Sequence, residues 1–429
     1  MPGKTAYINA RLLDPASGLD AAGALLTEGE TIAAIGDIGE IPADALVVDC
    51  RGLCLAPGLV DMRVQLREPG EEHKETIASA CRAAVAGGVT SMVCLPNTGP
   101  VIDNDAVVEF VARRARQVGL TKVYPYGAAT KGLTGGEVAE IGLLAESGAV
   151  AFTDGERAVA SAVVMSRLLS YAAGFGHLIV QHPEEPTLAG GDMNAGTTAG
   201  RLGLSGISPA AEWIMLERDL RLVEVTGARY HAAHISTAES VAIIRRAKEK
   251  GLAVTCDTAP PYALLTEEAV GEFRTFAKLS PPLRKESDRA AIAAGLADGA
   301  IDCLASDHSP QDADSKRKTF HDAAFGGVGV QTLLSATLEI ARAGGIGLLD
   351  ALAAVTVNPA RILGLPAGRL TAGAAADLAL FDPEARWEVN ADTLLSKSKN
   401  SPFDESVLPG RVARTVIDGR TVFEDAAHG

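Results

Sequence analysis

The side chains with the clearest chemical consequences lie in a short run, residues 61–65, that is predicted to be a strand. Alternate side chains of a strand share one face, so Asp61, Arg63 and Gln65 should point the same way. A pair of imidazoles on such a face would bind a metal ion. A guanidinium has no lone pair to donate, and a carboxamide is a poor zinc ligand. The sequence therefore predicts a fixed positive charge on this face and no pair of metal ligands.

Further polar residues each end a predicted strand, namely Asp154, His182 and His234. If the ends of these strands meet, the three residues form an Asp/His/His site with one open position, which is the ligand count of a catalytic zinc. Asp307 ends another predicted strand. Without a metal beside it, a buried carboxylate needs a cation, and Arg63 could supply one through a forked ion pair.

Two other histidines are interpreted as structural because of the same alternation. His231 lies three residues before His234 in a predicted strand, so its ring should face the opposite side. His308 follows Asp307 directly, so it should face away from that carboxylate and orient a neighbouring group.

The elements that must position these residues follow a repeating order. From residue 56, apolar strands alternate with amphipathic helices over about 300 residues, which predicts an α/β fold with a (β/α)8 TIM-type barrel. Short β-runs at both chain ends predict a small β-sandwich domain. We expect a composite β-domain from residues 1–55 and 365–429, beside a barrel over residues 56–364. The later barrel strands are predicted at 89–95, 122–127, 150–154, 177–182, 230–234, 252–257 and 301–307, and helices at 104–118, 136–147, 159–174 and 237–250.

Composition narrows the class of protein. The chain has 429 residues and a formal net charge of −15, which argues against nucleic acid or an anionic membrane surface as a general partner. An anionic small substrate needs only a local positive pocket. We expect no transmembrane segment, because no apolar run approaches ~18 residues. Six scattered cysteines without a CxxC pair, and an N-terminus without a signal-peptide pattern, predict buried free thiols and a cytoplasmic location.

An ordered set of short motifs runs along nearly the whole chain. The motifs are Leu66-Arg67-Glu68-Pro69-Gly70, Leu95-Pro96-Asn97-Thr98, Gly127-Ala128-Ala129-Thr130-Lys131-Gly132, Ala151-Phe152-Thr153-Asp154, His231-Ala232-Ala233-His234-Ile235-Ser236-Thr237, Pro281-Pro282-Leu283-Arg284, Ala305-Ser306-Asp307-His308-Ser309-Pro310, Asn358-Pro359-Ala360-Arg361 and Ser396-Lys397-Ser398-Lys399-Asn400-Ser401-Pro402. Together they resemble the dihydroorotases of the amidohydrolase superfamily, of the long type with a barrel and a β-domain. The resemblance implies zinc-assisted interconversion of carbamoyl-aspartate and dihydroorotate, a cyclic-amide hydrolysis of pyrimidine biosynthesis.

The resemblance implies metal-related roles for four retained residues. Asp154 matches the aspartate that bridges two metals, and His182 and His234 match the histidines that complete one of the two sites. Asp307 matches the residue that ligates the other metal and shuttles the proton, so it is the candidate catalytic residue. We expect at most one zinc ion, at Asp154, His182 and His234, with a site that binds no metal as the alternative.

The resemblance also implies how the substrate is held. Arg67 and Asn97 match the family's contacts with the substrate carboxylate. Arg67 could instead form a salt bridge at the rim of the barrel, and Asn97 could serve only as a turn-forming residue.

The departures from the family pattern cluster at the ends of the strands, where a barrel places its chemistry. Arg63 and Gln65 replace both histidines of the first metal site. Gln311 replaces a carboxylate-binding histidine, Ser280 replaces an asparagine that contacts the ring, and the run 153–156 reads Thr-Asp-Gly-Glu in place of Thr-Asp-Asp-Gly.

These departures predict impaired or lost activity. A bound zinc lowers the pKa of water from about 15.7 to about 7, which is on the order of 11–12 kcal/mol in making hydroxide available. An aspartate base alone supplies only about 3–5 kcal/mol. One alternative is a working enzyme with a single metal. A second is a catalytically silent structural subunit that assembles with aspartate transcarbamoylase, and we also expect a homo-oligomer. A third is a hydantoinase-like hydrolase, which the Arg67–Gly70 and Pro96–Thr98 motifs disfavour.

Two further features leave alternatives open. Lys131 could be a carbamylated bridging lysine, but a solvated surface lysine is the favoured interpretation. The polar segment 310–327 is predicted to be a mobile lid, with a surface loop of no function as the alternative.

Overall fold

The computed structural model describes residues 3–426. The strands are β1 Lys4–Asp14, β2 Leu19–Glu28, β3 Thr31–Gly36, β4 Leu46–Asp49, β5 Cys54–Pro57, β6 Leu59–Val64, β7 Val89–Cys94, β8 Lys122–Pro125, β9 Gly127–Ala128, β10 Phe152–Thr153, β11 Leu178–Gln181, β12 Met193–Asn194, β13 Gly206–Ile207, β14 Arg229–Ala232, β15 Val254–Thr258, β16 Cys303–Leu304, β17 Leu378–Glu388, β18 Val407–Ile417 and β19 Arg420–Glu424.

The α-helices are α1 Ile77–Ala86, α2 Asp105–Val118, α3 Ile141–Glu146, α4 Ala162–Phe175, α5 Thr197–Leu202, α6 Ala210–Thr226, α7 Ala238–Glu249, α8 Pro260–Leu264, α9 Glu286–Ala297, α10 Ala313–Lys316, α11 Leu333–Gly344, α12 Leu348–Ala353 and α13 Val357–Leu363. Short 3₁₀ helices lie at Lys131–Leu133, Glu267–Val270, Thr275–Ala277 and Val330–Thr332.

Parallel strands close into the predicted barrel. One sheet has the order β6-β7-β8 and another the order β9-β10-β11-β14-β15-β16, and the chain passes directly from β8 to β9 through Tyr126. The ring closes where Val64 pairs in parallel with His308 and the Gln65 amide donates to the His308 carbonyl at 2.8 Å. The prediction of a (β/α)8 barrel is confirmed, and the closure brings residues 63–67 beside residues 306–310.

The sequence explains why these strands and helices form locally. Every residue of β6 and β7 is buried, as expected for barrel strands that are covered on both faces. Helix α1 begins with a capping box between Thr76 and Ser79. Helix α2 begins at the cap Asn104 and ends at Gly119, whose φ of +65° suits glycine. Because the barrel strands are parallel, their C-terminal residues lie at one rim of the barrel.

Both chain ends contribute to one mixed sheet beside the barrel. Its order is β19-β18-β17-β5-β1-β2-β3, with β4 paired to β1. The predicted composite β-structure is confirmed, and its strands form a single hydrogen-bonded sheet of eight. The exact domain boundaries at residues 55 and 365 stay a prediction. In the described part of the chain, no helix is long and apolar enough to cross a membrane.

The predicted helix over 136–147 is shorter than expected. Helix α3 spans only Ile141–Glu146, because Val138 pairs with Thr130 in an antiparallel bridge and the Ala139 amide donates to the Ala129 carbonyl. These tertiary hydrogen bonds compete with helix formation in the first turns.

Barrel closure includes a buried carboxylate with a pH-dependent cost. Asp61 is fully buried on β6 and accepts a hydrogen bond from the Ser306 amide at 3.1 Å. Burial raises the pKa of Asp61 from 3.8 to about 6. The native state therefore keeps a proton that the unfolded chain loses between about pH 4 and 6, so stability falls as the pH rises through that window.

We predict that Asp61→Asn removes this loss. The gain in the free energy of unfolding of Asp61→Asn over the wild type should be larger at pH 7 than at pH 4 by roughly 2–3 kcal/mol. Urea denaturation at both pH values measures the difference. The exposed Asp298→Asn controls for the loss of one charge, and a difference that is equal at the two pH values would contradict the prediction.

Candidate functional site

The first barrel strand places Arg63 against the last one. Arg63 is buried, with 3% of its surface exposed, and its Nε donates to Asp307 Oδ1 at 2.8 Å. Its Nη2 donates to the Gly155 carbonyl at 3.2 Å. Burial raises the pKa of Asp307, and the Arg63 guanidinium opposes that rise. The predicted ion pair is confirmed, although it is held by a single hydrogen bond and is not forked.

Gln65 forms the centre of a second polar group, which we call the mouth cluster: Gln65, Asn97, Glu156 and Ser309. Gln65 Nε2 donates to Glu156 Oε1 at 2.6 Å and to Ser309 Oγ at 3.1 Å. Asn97 Nδ2 donates to Gln65 Oε1 at 3.1 Å and to Glu156 Oε2 at 3.3 Å. Glu156 and Ser309 are not among the site residues predicted from the sequence. The departure at positions 153–156 was the available signal for Glu156.

Arg67 lies beside the mouth cluster and is bound within the chain. Its Nη1 donates to Glu71 Oε2 at 2.8 Å, its Nε to the Pro310 carbonyl at 3.3 Å and its Nη2 to Ser309 Oγ at 3.3 Å. These contacts match the alternative role predicted for Arg67, a salt bridge at the rim of the barrel. The roles of Arg67 and Asn97 in holding a substrate stay predictions.

His182 and His234 do meet, at the ends of neighbouring strands. His182 Nδ1 lies 3.1 Å from His234 Nε2, and the rings stack with centroids 4.8 Å apart. His182 Nε2 lies 3.2 Å from Glu184 Oε2, so it carries the proton and His182 Nδ1 accepts from His234 Nε2. Burial lowers the pKa of His234 well below its ordinary value, so this ring is neutral.

Asp154 is hydrogen-bonded by Thr130. Thr130 donates to both of its carboxylate oxygens, from the backbone amide at 2.8 Å and from the hydroxyl at 2.5 Å. Burial raises the pKa of Asp154. Across residues 3–426, no three His, Cys, Asp or Glu side chains converge in a way that could hold a metal ion.

The spacing of the two histidines and the partners of the nearby carboxylates decide whether this site fits a zinc ion. Two nitrogens 3.1 Å apart are close to the roughly 3.3 Å expected for two ligands of one tetrahedral zinc. However, a metal-binding histidine normally donates its second nitrogen to an acceptor, and His234 Nδ1 has no hydrogen-bond partner among the described residues. With Asp154 bound to Thr130 and Asp307 bound to Arg63, the residues as placed do not fit a zinc ion. The metal role of Asp154, His182 and His234 stays a prediction.

Three residues at this rim of the barrel have a strained backbone. Arg67, His234 and Asp307 have φ values of +58°, +39° and +49°, which residues other than glycine rarely adopt. Such conformations persist where surrounding contacts over-determine them, and they cluster at functional sites.

His231, His308 and Lys131 have other partners in the structure. His231 contacts Asp257 Oδ2 at 2.8 Å, and His308 Nδ1 accepts from the Gly329 amide at 3.1 Å. Both rings are buried and hold neighbouring segments, as expected. Lys131 is half-exposed and pairs with Glu137 at 2.5 Å.

The segment 310–327 is attached through a buried lysine. Lys316 Nζ donates to the carbonyls of Ala324 at 2.7 Å and Thr275 at 3.0 Å. Gln311 Nε2 donates to the Phe325 carbonyl at 2.8 Å, inside the same segment. Whether this segment is a lid stays a prediction.

Comparisons with known proteins show the family to which the chain belongs. A family model described as Dihydro-orotase-like matches residues 52–240, and one described as Amidohydrolase family matches residues 223–423. A dihydroorotase of Anaplasma phagocytophilum is 45% identical over 425 residues, covering 97% of this chain and 95% of that protein. One from Anaeromyxobacter sp. is 46% identical, covering 97% and 96%. The chain belongs to the dihydroorotase family of amidohydrolases.

Solved structures agree with the family's fold. The L-hydantoinase (dihydropyrimidinase) of Arthrobacter aurescens superposes with a TM-score of 0.88 at 25% identity, covering 99% of this chain and 96% of that one. A D-hydantoinase of Bacillus sp. AR9, at 22% identity and a TM-score of 0.83, supports the fold alone. This dihydroorotase-family chain therefore keeps the whole scaffold, while its barrel mouth carries an arginine–aspartate pair.

We predict that Arg63 is needed to stabilise Asp307. Arg63→Met should lower the free energy of unfolding by about 3 kcal/mol, because it leaves a carboxylate at a low-dielectric site without its cation. The double variant Arg63→Met with Asp307→Leu should recover most of that loss. Chemical denaturation measures both values.

The exposed Arg342→Met serves as the matched control for the loss of an arginine. If Arg63→Met lowers the free energy of unfolding no more than this control does, or if the double variant recovers nothing, the ion pair does not stabilise Asp307.

Proposed function

We propose that this dihydroorotase-family protein has impaired or lost activity in interconverting carbamoyl-aspartate and dihydroorotate. The observation that carries the proposal is the 2.8 Å ion pair between Arg63 and Asp307. It engages the candidate acid–base residue and places a permanent cation where the family resemblance implies metal ligands.

The magnitudes support loss of activity. A fixed positive charge about 4 Å from a divalent ion costs several kcal/mol at an effective dielectric near 20. A zinc ion would supply the activated water of family members, which is by far the largest contribution to this reaction. What the chain's own carboxylate supplies as a general base is roughly 10²–10⁴-fold.

The binding side of the proposal rests on residues that are retained. Arg67 and Asn97 would hold the carboxylate of a small anionic pyrimidine precursor, and Asp307 would handle the proton if turnover occurs. Zinc, at most one ion at Asp154, His182 and His234, would bind only if Asp154 left the two hydrogen bonds from Thr130 that hold it. The six cysteines are all free and buried, which supports a cytoplasmic location.

The second candidate function is a catalytically silent structural subunit. It is favoured because the scaffold matches that of relatives over nearly its whole length, while the departures from the family motifs at Arg63, Gln65 and Gln311 lie at the ends of barrel strands. The partner that the resemblance suggests is aspartate transcarbamoylase, and the subunit itself would be a homo-oligomer. Sedimentation velocity of the two proteins, alone and mixed, tests this candidate, and independent sedimentation at micromolar concentration would end it.

The direct experiment is metal analysis combined with an assay of dihydroorotate hydrolysis on the purified protein. We predict substantially less than one equivalent of zinc per chain and no turnover above background. Turnover that is rapid and sensitive to a chelator would end the proposal of lost activity.

A restoring variant tests where the loss lies. Arg63→His with Gln65→His removes the cation, frees Asp307 and adds two imidazoles on one strand face, so the metal content should rise. The matched control is the pair Arg63→Gln with Gln65→Asn, which removes the cation without adding ligands. Equal metal content in the two double variants would mean that the site has decayed beyond these positions.

A further inference from the structure

The mouth cluster presents its donors to a carboxylate. Glu156 Oε1 accepts from Gln65 Nε2 at 2.6 Å and from Ser309 Oγ at 3.3 Å, and Oε2 accepts from Asn97 Nδ2 at 3.3 Å. The donors come from the ends of three different barrel segments, after β6, after β7 and after β16. They converge on one point because the barrel closes there.

The donors and the carboxylate differ in how firmly they are held. Gln65 and Ser309 are each 3% exposed, and the Gln65 amide is bound on both sides, by Asn97 and by Ser309. Glu156 is an exposed residue that follows Gly155, whose φ is +71°. A long, exposed side chain after a glycine turn can leave its position, whereas the buried donors cannot follow it.

Glu156 differs from Asp307 and Glu71 in the charge of its partners. Arg63 is paired with Asp307, and Arg67 is paired with Glu71. The negative charge of Glu156 is bound in the mouth cluster by two amides and a hydroxyl, which are neutral donors. Such donors bind any carboxylate that reaches them, and a buried amide left without an acceptor is costly.

We propose that the mouth cluster is a binding site for the carboxylate of a small organic acid, and that Glu156 is a built-in competitor for that site. An incoming carboxylate accepts the hydrogen bonds of Gln65, Asn97 and Ser309 while the Glu156 side chain moves to solvent. This inference rests on the proposed function, which assigns Asn97 to a substrate carboxylate, and deepens it by adding Gln65 and Ser309 as donors and Glu156 as the competitor; it requires neither turnover nor a protein partner.

The exchange sets the affinity for the acid. While Glu156 occupies the donors, an external carboxylate must displace it and also meets its negative charge. Removing that charge should therefore strengthen binding. At separations near 6 Å, the effect of one charge corresponds to about tenfold or more in affinity.

The test is isothermal titration calorimetry with succinate as the probe and succinamide as its uncharged counterpart, at constant ionic strength. Glu156→Gln should bind succinate at least about tenfold more tightly than the wild type, and succinamide should not show this gain. Glu156→Ala, which also frees space, should show a gain of the same sign. Adding Gln65→Leu to Glu156→Gln should abolish the gain.

Glu137→Gln is the matched control, because Glu137 is an exposed glutamate that pairs with Lys131 away from the mouth cluster. Thermal unfolding of each variant checks that it is folded. Equal succinate affinity in the wild type and Glu156→Gln, an equal gain in Glu137→Gln, or no binding by either folded Glu156 variant would overturn the proposal. Catalytic activity is not read in this test, so its outcome is separate from that of the proposed function.

Discussion

Carboxylates at the C-terminal ends of barrel strands need either a cation or hydrogen-bond donors beside them, and this requirement organises the mouth of the protein. Asp307 lies at the end of the last strand, and Arg63 on the first strand donates to it at 2.8 Å. The guanidinium also donates to the Gly155 carbonyl and so ties a third segment to the pair. One permanent cation thus performs a structural task that a divalent ion can perform in related folds.

The other polar residues of the rim are arranged around that substitution. Gln65, two residues further along the same strand, connects Asn97, Glu156 and Ser309 through neutral hydrogen bonds. Thr130 holds Asp154, and His182 Nδ1 and His234 Nε2 share one hydrogen bond. Each of these carboxylates consequently has a hydrogen-bond partner within the chain, so its charge is not buried without compensation.

Much of this could be predicted from the sequence, for identifiable reasons. Strand alternation placed Arg63 and Gln65 on one face, and the need of a buried carboxylate for a cation gave the Arg63–Asp307 pair in advance. The repeating strands and helices predicted the barrel. The antiparallel bridge at Val138 could not be predicted, because a tertiary contact outweighed the helical pattern there. Thr130 and Glu156 were missed as partners for the same reason, since they contact the site only once the barrel has closed.

The central claim is that the guanidinium of Arg63 stands where a metal would otherwise be required. Crystals grown with added zinc, with diffraction recorded at the zinc absorption edge, test it most directly. We predict Arg63 Nε within hydrogen-bonding distance of Asp307 and no anomalous peak between these residues. Two bridged metal ions in the barrel mouth, with the guanidinium turned away from Asp307, would contradict the account.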